Sequence, residues 1–212
     1  MKGKIKLQDA PKGFTLDQDK VVPPSETVRR FKQRLERINL DILKSTIRID
    51  SGRLGIPVYF STCGTDALET IGTKKQMGKG ATPEQAEASA VMELAERYSF
   101  FSFVKDASNF KVDTYPNLRE SAMSFDQIAK SVHDESDDLP VAREIFDRLA
   151  LKWTWGFNLT TGAECLIPFD WFYAINEFNG PSAGNCQEEA ILQGICEIVE
   201  RHTCSLVSNG RL

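Results

Sequence analysis

The chain has 212 residues, enough for one large domain or two small ones with a substantial core. Its 41% hydrophobic and 26% charged residues give the balance of a globular protein, and a net charge of −4 gives no electrostatic case for a nucleic-acid binder. No apolar run reaches membrane-spanning length and the first twenty residues are charged throughout, so neither a membrane nor a signal peptide is expected, and the cytoplasm is the expected compartment.

Five cysteines (Cys63, Cys165, Cys186, Cys196, Cys204) are odd in number and lack C-x-x-C spacing, which argues against a disulfide framework or a structural zinc site. The two histidines offer no protease constellation: His133 sits in the acidic run HDESDDLP, and His202 follows a Glu-x-x-Glu-Arg motif as a neighbour rather than a ligand.

In chain order, residues 1–20 read as an irregular segment ending at Lys20. An amphipathic helix follows from Ser25 to about Ile38, with Val28, Phe31, Leu35 and Ile38 on one stripe. Ile42–Asp50 and Ile56–Cys63 read as hairpin strands around the glycines at 52 and 55. Asp66–Lys79 has no clear period and leads into MGKGAT, where Lys79 between two glycines before a helix could meet phosphate, although the Walker A spacing is absent. A long helix runs from about Pro83 to Phe103 and finishes in YSFFSF.

Residues 105–120 read as a loop, SFDQIAKSVH as a short helix, Asp134–Asp138 as a solvated acidic loop and Val141–Ala150 as another helix. KWTWGFNLTTGAECLIPFDWFYA reads as two buried, aromatic-rich strands around a Thr-Thr-Gly-Ala turn. The loop Asn176–Asn185 then leads to a second long helix.

That helix repeats the first. Gly184–Arg201 lies over Gly80–Arg97 without a gap, pairing Gly80 with Gly184, Glu84 with Glu188, Glu93 with Glu197, Glu96 with Glu200 and Arg97 with Arg201. Thr82, Pro83 and Gln85 suit the start of the first helix; Asn185 as cap, with Glu188 closing the box, suits the second. Carboxylates three apart lie roughly 60° from each other around a helix, so each Glu-x-x-Glu shares a face. One copy alone would be an ordinary solvated face. Two copies in equivalent apolar settings point to four carboxylates meeting at one site, which asks for cations, and oxygen ligands suit Mg²⁺.

At these residues the sequence resembles the YcaO family of ATP-dependent enzymes. The resemblance rests on MGKGATPEQAEASAVMELAERYS, on SAGNCQEEAILQGICEIVERH and on Lys20 with the helix SETVRRFKQRL, pieces spread over residues 20–205. It implies an ATP site without a P-loop, in which Glu93 and Glu96 match one Mg²⁺-binding pair and Glu197 and Glu200 the other. Glu189, Ser182, Asn185 and Arg201 match nucleotide-site positions, as do Lys20 and Thr27 through the N-terminal helix. Helical geometry favours Glu189 over Glu188, since Glu189 lies about 20° from Glu200 in projection. Family members use ATP to phosphorylate a peptide backbone amide oxygen after a nucleophile adds to the carbonyl, giving azolines, thioamides or related products.

The resulting expectation is an α+β fold, a mixed or antiparallel sheet packed with helices. It has two pseudo-repeated halves, each ending in a long Glu-x-x-Glu-Arg helix, within one ATP-binding domain over residues 1–212. Expected partners are a peptide or protein substrate, a separate substrate-presenting or sulfur-delivering protein, and a second copy of the chain. For that homodimer, YSFFSF and WTWGF are candidate surfaces that would serve a core equally. Family proteins are longer, so a catalytically incomplete ATP-binding or assembly module stands as the alternative. A di-metal carboxylate oxidase lacks its Glu-x-x-His motifs here and has too many strands beside it.

Overall fold

The computed structural model describes residues 5–13, 20–132 and 136–210. Two compact units emerge: a larger one of Leu7–Lys105 with Phe178–Leu212, and a smaller one built on Asp106–Glu177.

In the larger unit, helix α1 (Pro24–Ile38) is followed by strands β1 (Leu43–Arg48) and β2 (Val58–Cys63), the expected hairpin. The stretch without a period holds two elements, helix α2 (Thr65–Ile71) and strand β3 (Lys75–Lys79). β3 completes an antiparallel sheet in the order β1-β2-β3. Met77–Lys79 is therefore strand rather than loop.

Helix α3 (Pro83–Lys105) packs across this sheet and is the centre of the unit. Its buried face is mostly small (Ala86, Ala88, Ala90, with Val91 and Leu94), so the backbones approach closely. Opposite it stand Gly78 and Ser61: a Cβ on Gly78 would lie 2.0 Å from the Ala90 nitrogen, and Ser61 Oγ donates to the Ala90 carbonyl at 2.7 Å. Val28 of α1 packs with Ala88 and Val91, while Ile42, Ala67 and Leu94 form a second cluster beside Phe31, Leu35 and Tyr98.

The smaller unit begins in the expected loop, which instead contains a 3₁₀ turn (Ala107–Asn109), strand β4 (Lys111–Thr114) and helix α4 (Tyr115–Leu118). Helix α5 (Phe125–Ala129) starts with a Ser124/Gln127 capping box. Of the acidic stretch, residues 136–138 are exposed; His133, Asp134 and Glu135 lie outside the described residues. Helix α6 (Leu139–Arg148), strands β5 (Ala150–Phe157) and β6 (Glu164–Pro168), and helix α7 (Phe169–Asn176) complete it. FDWFYA is thus helical, not strand: Pro168 ends β6 and the chain turns directly into α7.

β4-β5-β6 is again an antiparallel three-stranded sheet, with one parallel bridge, Ala122 to Leu166, on its far side. Its core is aromatic: Tyr115, Phe125, Phe146 and Trp153 pack with Leu118, Ile128 and Leu166, and Phe146 meets Trp153 and Trp171 edge-on. Of the two places open to WTWGF, dimer surface or core, Trp153 takes the core, and its indole N–H donates to the Asp113 carbonyl at 3.0 Å.

Helix α8 (Gln187–Ser208) then returns to the larger unit. Its N-cap is Cys186, not Asn185, and Glu188 does not close a box on it: its carboxylate accepts from the Gln8 amide at 2.6 Å.

Candidate functional site

Both long helices begin in the same way. Gln85 Oε1 accepts from the Ala81 amide at 2.9 Å, and Glu189 Oε2 accepts from the Asn185 amide at 2.7 Å, each side chain reaching back past the helix start. A Cβ on Gly80 would fall 2.7 Å from the Ala86 nitrogen, and one on Gly184 2.5 Å from the Ala190 nitrogen, so both positions require glycine for close approach. These pairs all stand at equivalent places in the repeat.

Between the two helix starts lies a cleft of about 440 Å³. α3 lines it with Gln85, Ser89, Glu93 and Glu96, which fall on one face at four-, four- and three-residue steps. α8 and the turn before it contribute Asn185, Glu189 and Gln193; Lys20, Thr27, Lys79 and Gly80 close the remaining wall. The cleft therefore presents two helix N-termini and two lysines to an anion and carboxylates to a cation.

Glu189, only 4% exposed, braces this wall. One carboxylate oxygen accepts from the Val21 amide and the other from both the Asn185 amide and, at 2.9 Å, Asn185 Nδ2. Thr27 Oγ1 donates to Asn185 Oδ1 at 2.9 Å, so residues 21–27 are tied to the start of α8.

The first Glu-x-x-Glu is clamped by its own arginine. Arg97 Nη2 and Nε donate to Glu93 Oε1 at 3.1 and 3.2 Å, and Nε stands 3.7 Å from Glu96 Oε1. Burial pushes the Glu96 carboxyl up to about 7; Arg97 opposes this, while Glu93 and Glu197 add like charge.

Of the ten residues singled out in the sequence, Lys20, Thr27, Glu93, Glu96, Asn185 and Glu189 line the cleft. Ser182, Glu197, Glu200 and Arg201 lie outside its lining. Ser182 Oγ donates to the Ala190 carbonyl; Glu197 accepts from the Gly180 amide at 3.0 Å and pairs with Arg201 at 3.5 Å; Glu200 and Arg201 are exposed. Among the described residues no three acidic, Cys or His side chains converge closely enough to hold an ion. Internal partners explain the spread: each of Glu93, Glu189 and Glu197 is turned towards its own donor.

Gln85, Ser89 and Gln193 were not singled out as site residues. The signal was present: Ser89 and Gln193 occupy the same place in the two repeats, four residues before Glu93 and Glu197.

The donor set fits Mg²⁺ with a polyphosphate. Glu93 and Glu96 offer carboxylate oxygens side by side in the cleft, and since burial and like charge raise the Glu96 carboxyl to about 7, a bound cation would favour its ionised form. The starts of α3 and α8 bring the positive ends of two helix dipoles, with Lys20 and Lys79, to the cleft, a setting that suits an anion.

Comparison with known proteins gives the same direction. The profile of a family described as YcaO cyclodehydratase, ATP- and Mg²⁺-binding, matches residues 77–212. An uncharacterised protein of Methanothermobacter thermautotrophicus is 32% identical over 197 residues, covering 87% of this chain and 46% of that protein. Another, in the tfuA 3′ region of Rhizobium leguminosarum bv. trifolii, is 24% identical over 94% of this chain and 46% of its own length. The chain thus spans about half the length of these relatives. Among solved structures, YcaO from Methanopyrus kandleri bound with AMPPCP and Mg²⁺ superposes with a TM-score of 0.61 at 25% identity, covering 92% of this chain and 47% of that one. A heterocyclase in complex with substrate and cofactor shares the fold at a TM-score of 0.65 and 24% identity, over 94% of this chain and 30% of its own.

Proposed function

The chain belongs to the YcaO family, and we propose that its cleft binds ATP with Mg²⁺ to activate a backbone amide of a peptide or protein. The observation that carries this reading is the meeting of two helix N-termini, Lys20 and Lys79 with Glu93 and Glu96 around one cleft. A magnesium–triphosphate complex has the matching charges, anionic at its phosphates and cationic at its metal.

In this proposal Glu93 and Glu96 hold Mg²⁺ from α3, and Glu197 and Glu200 are the second pair, on α8. Lys20, Thr27, Ser182, Asn185, Glu189 and Arg201 take the nucleotide. Bound ATP supplies a phosphoryl group that turns a poor leaving oxygen into phosphate. The chain's own part is positioning and charge: Arg97 keeps Glu93 and Glu96 on one side, the Thr27–Asn185–Glu189 relay holds the N-terminal wall, and Arg201 suits phosphate oxygens. The product class is azoline, thioamide or a related backbone change, made in the cytoplasm on a substrate brought by a separate presenting or sulfur-delivering protein.

A second reading, an ATP-binding module that turns over only with another body, draws its support from α8. Leu192, Ile195, Ile198 and Val199 stay exposed on that helix beside Glu200 and Arg201. Calorimetric titration of ATP with and without Mg²⁺, beside a Glu93→Gln/Glu197→Gln variant, tests the shared premise. Binding that requires Mg²⁺ and vanishes in the variant is the expected result; binding that survives the double change overturns the metal assignment. ATP hydrolysis in the presence of peptide then separates enzyme from module.

A further inference from the structure

Arg97 and Arg201 stand at the same place in the repeat, yet the fold uses them differently. Arg201 is 59% exposed and pairs with Glu197. Arg97 is 18% exposed, its guanidinium carbon lying 4.3 Å from the centroid of the Phe178 ring while its nitrogens face Glu93 and Glu96. Phe178 is in turn backed by Phe101 of α3 at 6.3 Å, and Phe101 by Phe100 at 5.3 Å.

Two residues beyond Phe178, Gly180 takes φ +100° and its amide donates to Glu197 at 3.0 Å. The Gly180 carbonyl lies so near Gly194 that a Cβ there would come within 2.5 Å, which fixes this turn against α8. A continuous path therefore runs from Glu93 and Glu96 through Arg97 and the Phe178 ring to Gly180 and Glu197.

Resting on the reading of the cleft as a Mg²⁺–nucleotide site, we propose that Arg97 is a positioning residue which, by stacking on Phe178, sets the first Glu-x-x-Glu pair in register with Glu197 of the second. The planar guanidinium is what the arrangement requires. It can offer one edge to carboxylates and one face to a ring at once, whereas a lysine ammonium supplies only charge. Its Nη1, buried without an acceptor, is a cost tolerated where the stack and the Glu93 bonds fix the group in place.

The test is a double-mutant cycle on the whole chain with Arg97→Lys, Phe178→Leu and both together, reading Mg²⁺-dependent ATP binding by calorimetry, with thermal unfolding to verify folding. Each single change is expected to weaken binding about tenfold, and the pair by no more than about tenfold, because both remove one stacked unit. Arg97→Lys binding like wild type, or losses that multiply, would overturn the proposal.

A second arm needs no nucleotide. In a Phe178→Trp chain, added Arg97→Met is expected to raise iodide quenching of the new tryptophan at least about twofold as the stack is lost; unchanged quenching refutes the clamp. If wild type fails to bind ATP at all, the site reading falls, and this arm still decides the Arg97–Phe178 contact.

Discussion

Glu96 carries a cost of burial in the folded chain. Its carboxyl is raised from 4.5 to about 7, so the folded state holds the proton more tightly than the unfolded state does. The resulting stabilisation is complete below about pH 4.5 and lost as pH rises through about 7. Without Mg²⁺ this contribution makes the melting temperature fall between pH 5 and pH 8, and added Mg²⁺ should raise it more at pH 8 than at pH 5. Glu96→Gln should flatten both trends in thermal unfolding scans. Glu189 is a buried side chain whose two carboxylate oxygens both accept hydrogen bonds. Glu189→Ala leaves the Val21 and Asn185 donors without acceptors and should cost about 2–3 kcal/mol in urea unfolding.

At the level of elements, the contact between sheet and α3 depends on a missing side chain. Gly78→Ala would place a methyl 2.0 Å from the Ala90 nitrogen, so β3 must move off α3; a loss of about 2–3 kcal/mol is expected. Gly13→Ala, with open space around it, should stay within about 0.5 kcal/mol of wild type in the same denaturation assay. Gly78 also hid β3 from the sequence, because KQMGK offers no apolar side chain at its one buried position. β4 was hidden similarly: KVDT is short, and its two most exposed residues are Lys111 and Val112. α7 was misread because FDWFYA follows β6 without a polar break, and only Pro168 marks the change of period. The long helices were legible from length and the repeat, although the cap of α8 was misplaced by one residue and Gln85 and Glu189 reach one residue further back than a capping box does.

For the whole molecule, the apolar surfaces left exposed bear on assembly. On the sheet face away from α3, Ile47, Phe60 and Met77 form one cross-strand row, with Ile47 50% and Met77 61% exposed. Trp153, by contrast, is spent on the core of the smaller unit. If the chain forms a homodimer, this row is the better candidate surface, and Met77→Glu should shift the light-scattering mass from two copies to one. A mass unchanged by the substitution would place any association elsewhere.

Residue types, spacing and the gapless repeat by themselves determined the two acidic helices, because these features are local and recur at fixed offsets, and the same stretches carry the resemblance to the family. What only the tertiary structure decided is which copies of a repeated residue face the cleft. Glu93 and Glu96 line it while Glu200 does not, and Arg97 is stacked and enclosed while Arg201 is exposed. The reason is packing: α3 lies across a sheet with its small residues inward, which turns Glu93 and Glu96 towards the cleft, whereas α8 buries little beyond Glu189 and Gly194 and leaves Glu200 and Arg201 to solvent.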